Sequence, residues 1–276
     1  NLQSCWYHID SGNNVTIPFC SSVTFDVSDG QHTLKLYAND SLGLINFSSV
    51  TFIANSTLII TSDWFMQRGN LSGNGRINAS IIKADKTKSF ILHTSRGTTS
   101  AASSLQFTSD FVNSTMIRFD NYAGGAATVE WEVITGPNLT IQRGEQAYGT
   151  AIGGINVSIN QVSLPNSFII ITNRLNTAAG ASYVQGHWTG RFINNTSIEL
   201  LRGQTGTAGN VSWQVVQWIG ANVQNGSFSS AGTTGNDNLS SQINMSNSFL
   251  IFSRRITTGT TLAQTNIGGF IYNSTI

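Results

Sequence analysis

The sequence predicts an all-β chain made of tandem antiparallel β-sandwich modules with an immunoglobulin-like character. Alternating apolar and polar residues recur along the chain, and no segment carries apolar side chains at sustained helical spacing. Gly-, Asn-, Ser- and Thr-rich turns separate the alternating runs roughly every 8 to 12 residues, the spacing typical of a sandwich. The same motifs then return in the same order, which indicates a repeat architecture.

Three alternating runs show the strand pattern clearly. They are TLKLYA at 33–38, VEWEV at 129–133 and VSWQV at 211–215. Successive side chains of a strand point to opposite faces, so Trp131 and Trp213 lie on the apolar face of their strands. Each run therefore predicts a strand with one buried face.

The repeats begin with a Gln-Xaa-Gly motif. It occurs as MQRG at 66–69, IQRG at 141–144 and VQNG at 223–226. A Ser-Phe-aliphatic strand follows each copy, with the equivalent phenylalanines spaced 78 and 81 residues apart: Phe90, Phe168 and Phe249. We expect these three side chains to be buried at matching positions.

Two further landmarks complete the repeat. An aromatic strand starts at Phe111, Phe192 and Phe270, and the tryptophan strands carry Trp131 and Trp213, spaced 82 residues apart. These spacings give a repeat unit of about 80 residues, which accommodates six or seven short strands. The predicted domains are 1–62 (immunoglobulin-like), 63–144 (repeat 1), 145–226 (repeat 2) and 227–276 (an incomplete repeat 3), with boundaries near 64, 144 and 226.

The first domain carries CWYHID at 5–10 and later YANDS at 37–41. These segments resemble an immunoglobulin-like domain of the bacterial and archaeal cell-surface type, whose late strands contain a Tyr-Ala-Xaa-Asp sequence. The resemblance implies a core position for Trp6, and it implies two opening strands that would precede Asn1. We therefore expect that the chain is an excerpt of a longer one or that neighbouring subunits donate strands to it.

Cys5 and Cys20 are the two cysteines of the chain. Their spacing around a hairpin-like segment favours a disulfide, as in small extracellular domains, over two buried free thiols.

The composition is that of a secreted surface. Charged residues make up 10% of the chain and the formal net charge is +1, so the protein neutralises few phosphates and we expect no nucleic-acid partner. No apolar run approaches the length of a membrane span, and we expect none. Glycosylation sequons are abundant, and the 16 acceptors are Asn14, Asn39, Asn46, Asn55, Asn70, Asn78, Asn113, Asn138, Asn156, Asn194, Asn195, Asn210, Asn225, Asn238, Asn244 and Asn273.

Catalytic and metal motifs are weak. The four histidines show no ligand spacing, the carboxylates are dispersed and no nucleophile elbow is present. We therefore predict that the chain is not an enzyme and that it has no catalytic or metal-binding residues. Calcium is the one cofactor with candidate loops, VSDG at 27–30, ANDS at 38–41 and GNDN at 235–238, and none of them has the ligand density of an EF-hand.

These observations predict an extracellular, N-glycosylated structural protein of the cell surface. It would self-associate head to tail or by strand sharing into a filament or stalk, with an adhesive role towards a cell or glycan. The Asn-, Ser- and Thr-rich composition and the YANDS segment resemble those of archaeal surface proteins. Two alternatives stay open: a carbohydrate-binding adhesin module with an aromatic platform (Trp64, Tyr148, Tyr183, Trp188 and Trp218), or a viral or phage fibre protein.

Overall fold

The computed structural model describes residues 2–54, 64–97, 105–122, 126–176, 183–227 and 238–257, and the chain divides into two compact units, 1–59 and 60–276. The protein is all-β, with several small antiparallel sheets. Among the described residues the helical elements are 3-10 turns of three or four residues. The predicted all-β class is therefore confirmed.

The first unit is a four-stranded antiparallel sheet with the order β2-β1-β3-β4. Its strands are β1 (Leu2–Ile9), β2 (Val15–Ile17), β3 (Gly30–Asp40) and β4 (Ile45–Ala54). One face buries Cys5, Tyr7 and Ile17. Cys5 is joined to Cys20 by a disulfide with a Cα–Cα distance of 5.2 Å, which ties β1 to the turn after β2.

Trp6 does not occupy the core position that the resemblance implied. It follows Cys5 on β1, so the alternation of the strand places it on the opposite face of the sheet. There its ring stacks on Tyr37 of β3, 5.6 Å away, and Tyr37 contacts Phe47 of β4. Phe47 is 62% exposed.

The second unit contains two copies of the same arrangement of strands. Repeat 1 consists of β5 (Phe65–Gly73), β6 (Arg76–Ser80), β7 (Ser89–Arg96), β8 (Thr108–Asn113), β9 (Met116–Asp120) and β10 (Ala127–Thr135). Repeat 2 consists of β11 (Leu139–Tyr148), β12 (Gly154–Ser158), β13 (Ser167–Leu175), β14 (Trp188–Asn194), β15 (Ser197–Arg202) and β16 (Gly209–Trp218). Strands with the same place in each repeat pair in the same way.

Each repeat has two three-stranded sheets. We call β5-β10-β7 and β11-β16-β13 the front sheets, and β6-β9-β8 and β12-β15-β14 the back sheets. The two sheets of a repeat share one core, to which the central strands contribute most. Trp131 and Val133 of β10 meet Ile117 and Phe119 of β9 in repeat 1. In repeat 2, the buried residues of β16 and β15 form the corresponding part of the core.

The predicted boundary at 144 lies within β11. Because the Gln-Xaa-Gly motif lies on the first strand of repeats 1 and 2, we assign the third copy of the motif, at 223–226, to repeat 3. Repeat 3 is described at 221–227 and 238–257, where a 3-10 turn at Met245–Asn247 precedes the segment with Phe249. No strand is assigned within those two ranges.

The Gln-Xaa-Gly motif has the same structural role wherever it occurs. In repeat 1 the Gln67 amide bonds the backbone N–H and C=O of Ile82. Gln142 bonds Asn160 in this way, and Gln224 bonds Ser241. In repeats 1 and 2 the glutamine thus fastens the first front strand to the loop that follows the first back strand.

The glycine of the motif makes room for the core tryptophan. Trp131 lies directly across from Gly69 on the neighbouring strand, and a Cβ on Gly69 would be 2.7 Å from the indole ring. Trp213 and Gly144 have the same relation and the same 2.7 Å distance. The two motifs of the sequence repeat, Gln-Xaa-Gly and the tryptophan strand, are therefore one packing unit.

His93 of β7 gives the core of repeat 1 a dependence on pH. Its ring packs edge-on against Phe119, and burial lowers the pKa of His93 to about 4. Because the unfolded imidazole titrates near pH 6.5, protons bind the unfolded chain first, and stability falls as the pH drops from about 6.5 to about 4, by about 3 kcal/mol. Repeat 2 has Ile171 at the matching position of β13.

We expect His93→Ile to flatten this acid dependence of the free energy of unfolding, measured by urea denaturation between pH 7.5 and pH 4. Ile91→Val, on the same strand, is the control: it should lower the free energy of unfolding at every pH but leave the slope unchanged, because it removes no titratable group. An unaltered acid slope in His93→Ile would contradict the assignment.

Candidate functional site: the contact between repeats

The contact between repeat 1 and repeat 2 combines an apolar cluster with hydrogen bonds from a buried amide and from an arginine. The edge strands β7 and β8 of repeat 1 pack against β11, β13 and β16 of the front sheet of repeat 2. A single apolar cluster spans the contact. Its buried members are Phe90, Leu139, Ile141, Phe168, Ile170 and Val216.

Phe90 and Phe168 lie at the centre of this cluster. Their rings meet edge to face, with centroids 5.9 Å apart and an angle of 87° between the planes, the geometry that aromatic pairs prefer. Phe90 is 1% exposed and Phe168 is 9% exposed. The two equivalent phenylalanines of the sequence repeat are therefore buried against each other, between repeats, instead of each within its own core.

Gln214 of β16 closes the open edge of β7. Its Nε2 donates to the carbonyl of Ile91 at 2.8 Å, and its Oε1 accepts from the N–H of Ile91 at 2.9 Å. Gln214 is 5% exposed and Ile91 is 1% exposed. An edge strand carries unpaired backbone groups, and here a side chain of the next repeat satisfies one such pair inside the contact.

Arg143 of β11 makes the polar part of the contact. Its Nη2 donates to the carbonyls of Lys86 and Ser89 at 2.7 and 2.6 Å, and its guanidinium lies 4.7 Å from the ring centroid of Phe111. Burial lowers the pKa of Arg143. The carbonyls and the ring face offset the loss of hydration that this burial causes.

Repeat 3 begins the same contact with repeat 2. Phe249 meets Phe168 edge to face, at 6.2 Å and 86°, which nearly reproduces the geometry of the Phe90–Phe168 pair. Val223 donates its N–H to the carbonyl of Pro165, and Ile251 packs against the same apolar cluster. Three equivalent phenylalanines thus form a continuous ladder along the second unit.

The prediction that all three phenylalanines are buried is wrong for Phe249, which is 54% exposed. Phe168 has a neighbour from each adjoining repeat, whereas Phe249 touches Phe168 and Trp218. Of the second set of phenylalanines, Phe111 is buried, Phe192 is partly buried and Phe270 lies outside the described residues.

Repeat 1 keeps the arginine of this contact but differs from repeat 2 at two other positions. Arg68 stands at the place of Arg143, and Glu132 at the place of Gln214. Their side chains are 68% and 41% exposed and lie 3.9 Å apart. Met66, at the place of the buried Ile141, is 46% exposed. In repeat 1 the exposed arginine therefore lies beside a carboxylate, at the position where repeat 2 has the buried amide of Gln214.

The predicted glycosylation acceptors that the structure describes lie at the surface. Asn55 and Asn273 are outside the described residues. Of the others none is buried: Asn39, Asn195 and Asn210 are partly exposed, and the exposed ones are Asn14, Asn46, Asn70, Asn78, Asn113, Asn138, Asn156, Asn194, Asn225, Asn238 and Asn244.

The candidate calcium loops include a carboxylate that holds a turn of the backbone. No group of three or more His, Cys, Asp or Glu side chains comes together among the described residues. In the ANDS loop, the Asp40 carboxylate accepts from the N–H groups of Leu42 and Leu44, which makes it part of the turn. GNDN lies outside the described residues except for Asn238.

Two of the five aromatic residues of the predicted sugar platform are buried. Trp188 is 2% exposed and Tyr148 is 4% exposed, and both belong to the core of repeat 2. Trp218 packs on Trp64 with centroids 4.6 Å apart, at the junction of the repeats. The side chain of Tyr183 lies outside the described residues.

The sequence repeat located the phenylalanines of the contact but not Gln214 or Arg143. A polar residue between two core positions of a strand normally faces solvent. One sequence feature does point to Gln214: the apolar Val216 follows it by two residues on the same face of β16, which indicates that this part of the outward face is covered.

Comparison of this chain with protein-family models, with curated proteins and with solved structures yields no match. Within the described ranges, no helix has the length and apolar character needed to cross a membrane.

Proposed function

We propose that the chain is an extracellular structural protein, in which an immunoglobulin-like unit and tandem β-sandwich repeats build a filament or stalk at the cell surface with an adhesive role. The observation that carries this proposal is the repeated phenylalanine contact. The geometry of Phe90 on Phe168 returns in Phe168 on Phe249. A contact that recurs along one chain can be extended by further repeats, as in solenoid arrays whose units touch only their neighbours.

Three further features support this role. The Cys5–Cys20 disulfide fits an oxidising compartment outside the cell. Sixteen sequons on a chain with few charged residues fit a glycan-bearing surface. The first unit keeps its sheet edge β4 largely exposed, including Phe47 and Ile53, and such an edge accepts strands from neighbours. The resemblance to archaeal surface proteins agrees with this reading.

The proposal is tested by imaging and sedimentation of the full chain, secreted with its disulfide and not deglycosylated. We expect particles that lengthen with concentration and, by cryo-electron microscopy, continuous filaments in which neighbouring subunits share strands. Discrete monomers at all concentrations up to about 100 μM would overturn assembly through this chain, because specific surface contacts of standard size associate well below that concentration.

A further inference from the structure

Two sequons occupy equivalent positions in repeat 1 and repeat 2. The first strand of the back sheet reads RINAS in β6 and GINVS in β12, so Asn78-Ala-Ser corresponds to Asn156-Val-Ser. Ile77 and Ile155 point inward, and Ala79 and Val157 are buried. Core packing therefore accounts for the apolar half of this similarity.

Core packing does not explain why the outward-facing Asn and Ser of these two strands also match. Asn78 and Asn156 are exposed, as are Ser80 and Ser158, because residues two apart on a strand share a face. Neither asparagine makes a side-chain hydrogen bond with the described residues. The asparagines of the next hairpin are different: Asn113 and Asn194 accept hydrogen bonds from Thr115 and Thr196, which explains their presence by turn formation alone.

The surroundings of the two asparagines have diverged. Asn78 lies opposite Arg118 of β9, whereas Asn156 lies opposite Glu199 of β15, so the neighbouring charge is reversed. Ser80 faces Met116, and Ser158 faces Ser197. A requirement that keeps Asn and Ser while their neighbours change acts on the Asn-Xaa-Ser unit itself.

Both asparagines lie on an edge strand. Among the described residues, β6 and β12 each pair with one strand of the back sheet, β9 and β15, and their other side pairs with no strand. The opposite edge of the back sheet in repeat 1, β8, packs against repeat 2. An open edge is a template for pairing with other chains, and proteins block it with bulky or charged groups.

We propose that Asn78 and Asn156 carry N-linked glycans that shield the open edges of the back sheets from strand addition. The inference rests on the extracellular function proposed above and gives two of the predicted glycosylation sites a structural role. The glycans occupy the side of each repeat away from the front-sheet contact, so they leave the stacking of repeats free while preventing lateral pairing.

The experiment uses the full chain secreted from a cell line that performs N-glycosylation, with occupancy read by mass spectrometry after enzymatic release in ¹⁸O-water. We expect glycan on Asn78 and on Asn156. Removal of both glycans by Asn78→Gln with Asn156→Gln should raise the fraction of chain lost to lateral aggregates several-fold on storage. Asn14→Gln with Asn138→Gln, at exposed sequons that lie in loops between strands, is the control and should not.

Ser80→Ala with Ser158→Ala separates the glycan from the asparagine. It abolishes the acceptor sequence but keeps both asparagines, so it should aggregate like the Asn→Gln pair in the glycosylating host and like the unmodified chain in a bacterial host. Unmodified Asn78 and Asn156, whether or not other sequons are occupied, would overturn the proposal, as would equal aggregation with and without these glycans. Filament formation is measured separately. Filaments without glycan on Asn78 and Asn156 would contradict this inference but not the proposed assembly, whereas glycosylated monomers would contradict the assembly but not the glycosylation of these sites.

Discussion

Replacing Trp213 by alanine is expected to lower the free energy of unfolding of the second unit by about 3–5 kcal/mol, as measured by urea denaturation. The indole fills the core of repeat 2, where Trp213 is 7% exposed, and it packs on the bare backbone of Gly144. Its loss leaves a cavity that the paired strands β11 and β16 cannot collapse to fill.

Trp64→Ala is the control for this change. Trp64 is 45% exposed and packs on Trp218 at the junction of the repeats, so we expect less than half of the effect. Gly144→Ala approaches the same contact from the other side, because its Cβ would be 2.7 Å from the indole, and it should also destabilise, by about 1–3 kcal/mol. If Trp213→Ala cost no more than Trp64→Ala, the glycine–tryptophan unit would not be the centre of the repeat core.

Changing Gln214 to glutamate is expected to weaken the contact between repeats by about 3 kcal/mol at pH 8. The carboxylate can still accept from the N–H of Ile91, but it cannot donate to the Ile91 carbonyl, and it places a charge at a buried position. Repeat 1 shows that glutamate is compatible with the strand itself, since Glu132 stands at the matching place, where it is exposed to solvent.

The penalty of Gln214→Glu should decline in acid. Burial raises the pKa of such a carboxyl above its unfolded value of about 4.3, so the penalty is complete above the folded pKa and fades as the pH falls towards about 4, where the protonated group donates again. The measured quantity is the difference in free energy of unfolding between variant and parent at each pH, from urea denaturation. The difference is needed because His93 destabilises both proteins in acid. Gln217→Glu on the same strand, partly exposed, is the control. A penalty independent of pH would refute the hydrogen-bonding role assigned to the amide.

The strands and the repeat could be predicted because both follow from local pattern. Alternation identifies the inward face of β10 and β16, and Gln-Xaa-Gly with Trp recurs because one packing unit requires both. Trp6 shows the limit of a resemblance: the alternation of β1 already separates Trp6 from the face of Cys5, and the structure agrees with the alternation.

The contact between repeats could not be predicted in the same way. It joins residues that are far apart in sequence, such as Ile91 and Gln214. It also depends on residues that differ between the repeats, so the repeat pattern conceals them: Gln214 replaces Glu132, and Ile141 replaces Met66. Phe249 was placed correctly within the ladder by its spacing, but its burial depends on neighbours that spacing does not describe.

The contact between repeats joins two unlike surfaces, the strand edges of one repeat and the sheet face of the next. Such a heterologous interface has a direction, and it cannot be closed by a two-fold axis. An open assembly propagated through it is polar: its two ends present different surfaces, all subunits point the same way, and successive copies are related by a screw operation. A cell that anchors one end of such an assembly thereby determines which surface meets the environment.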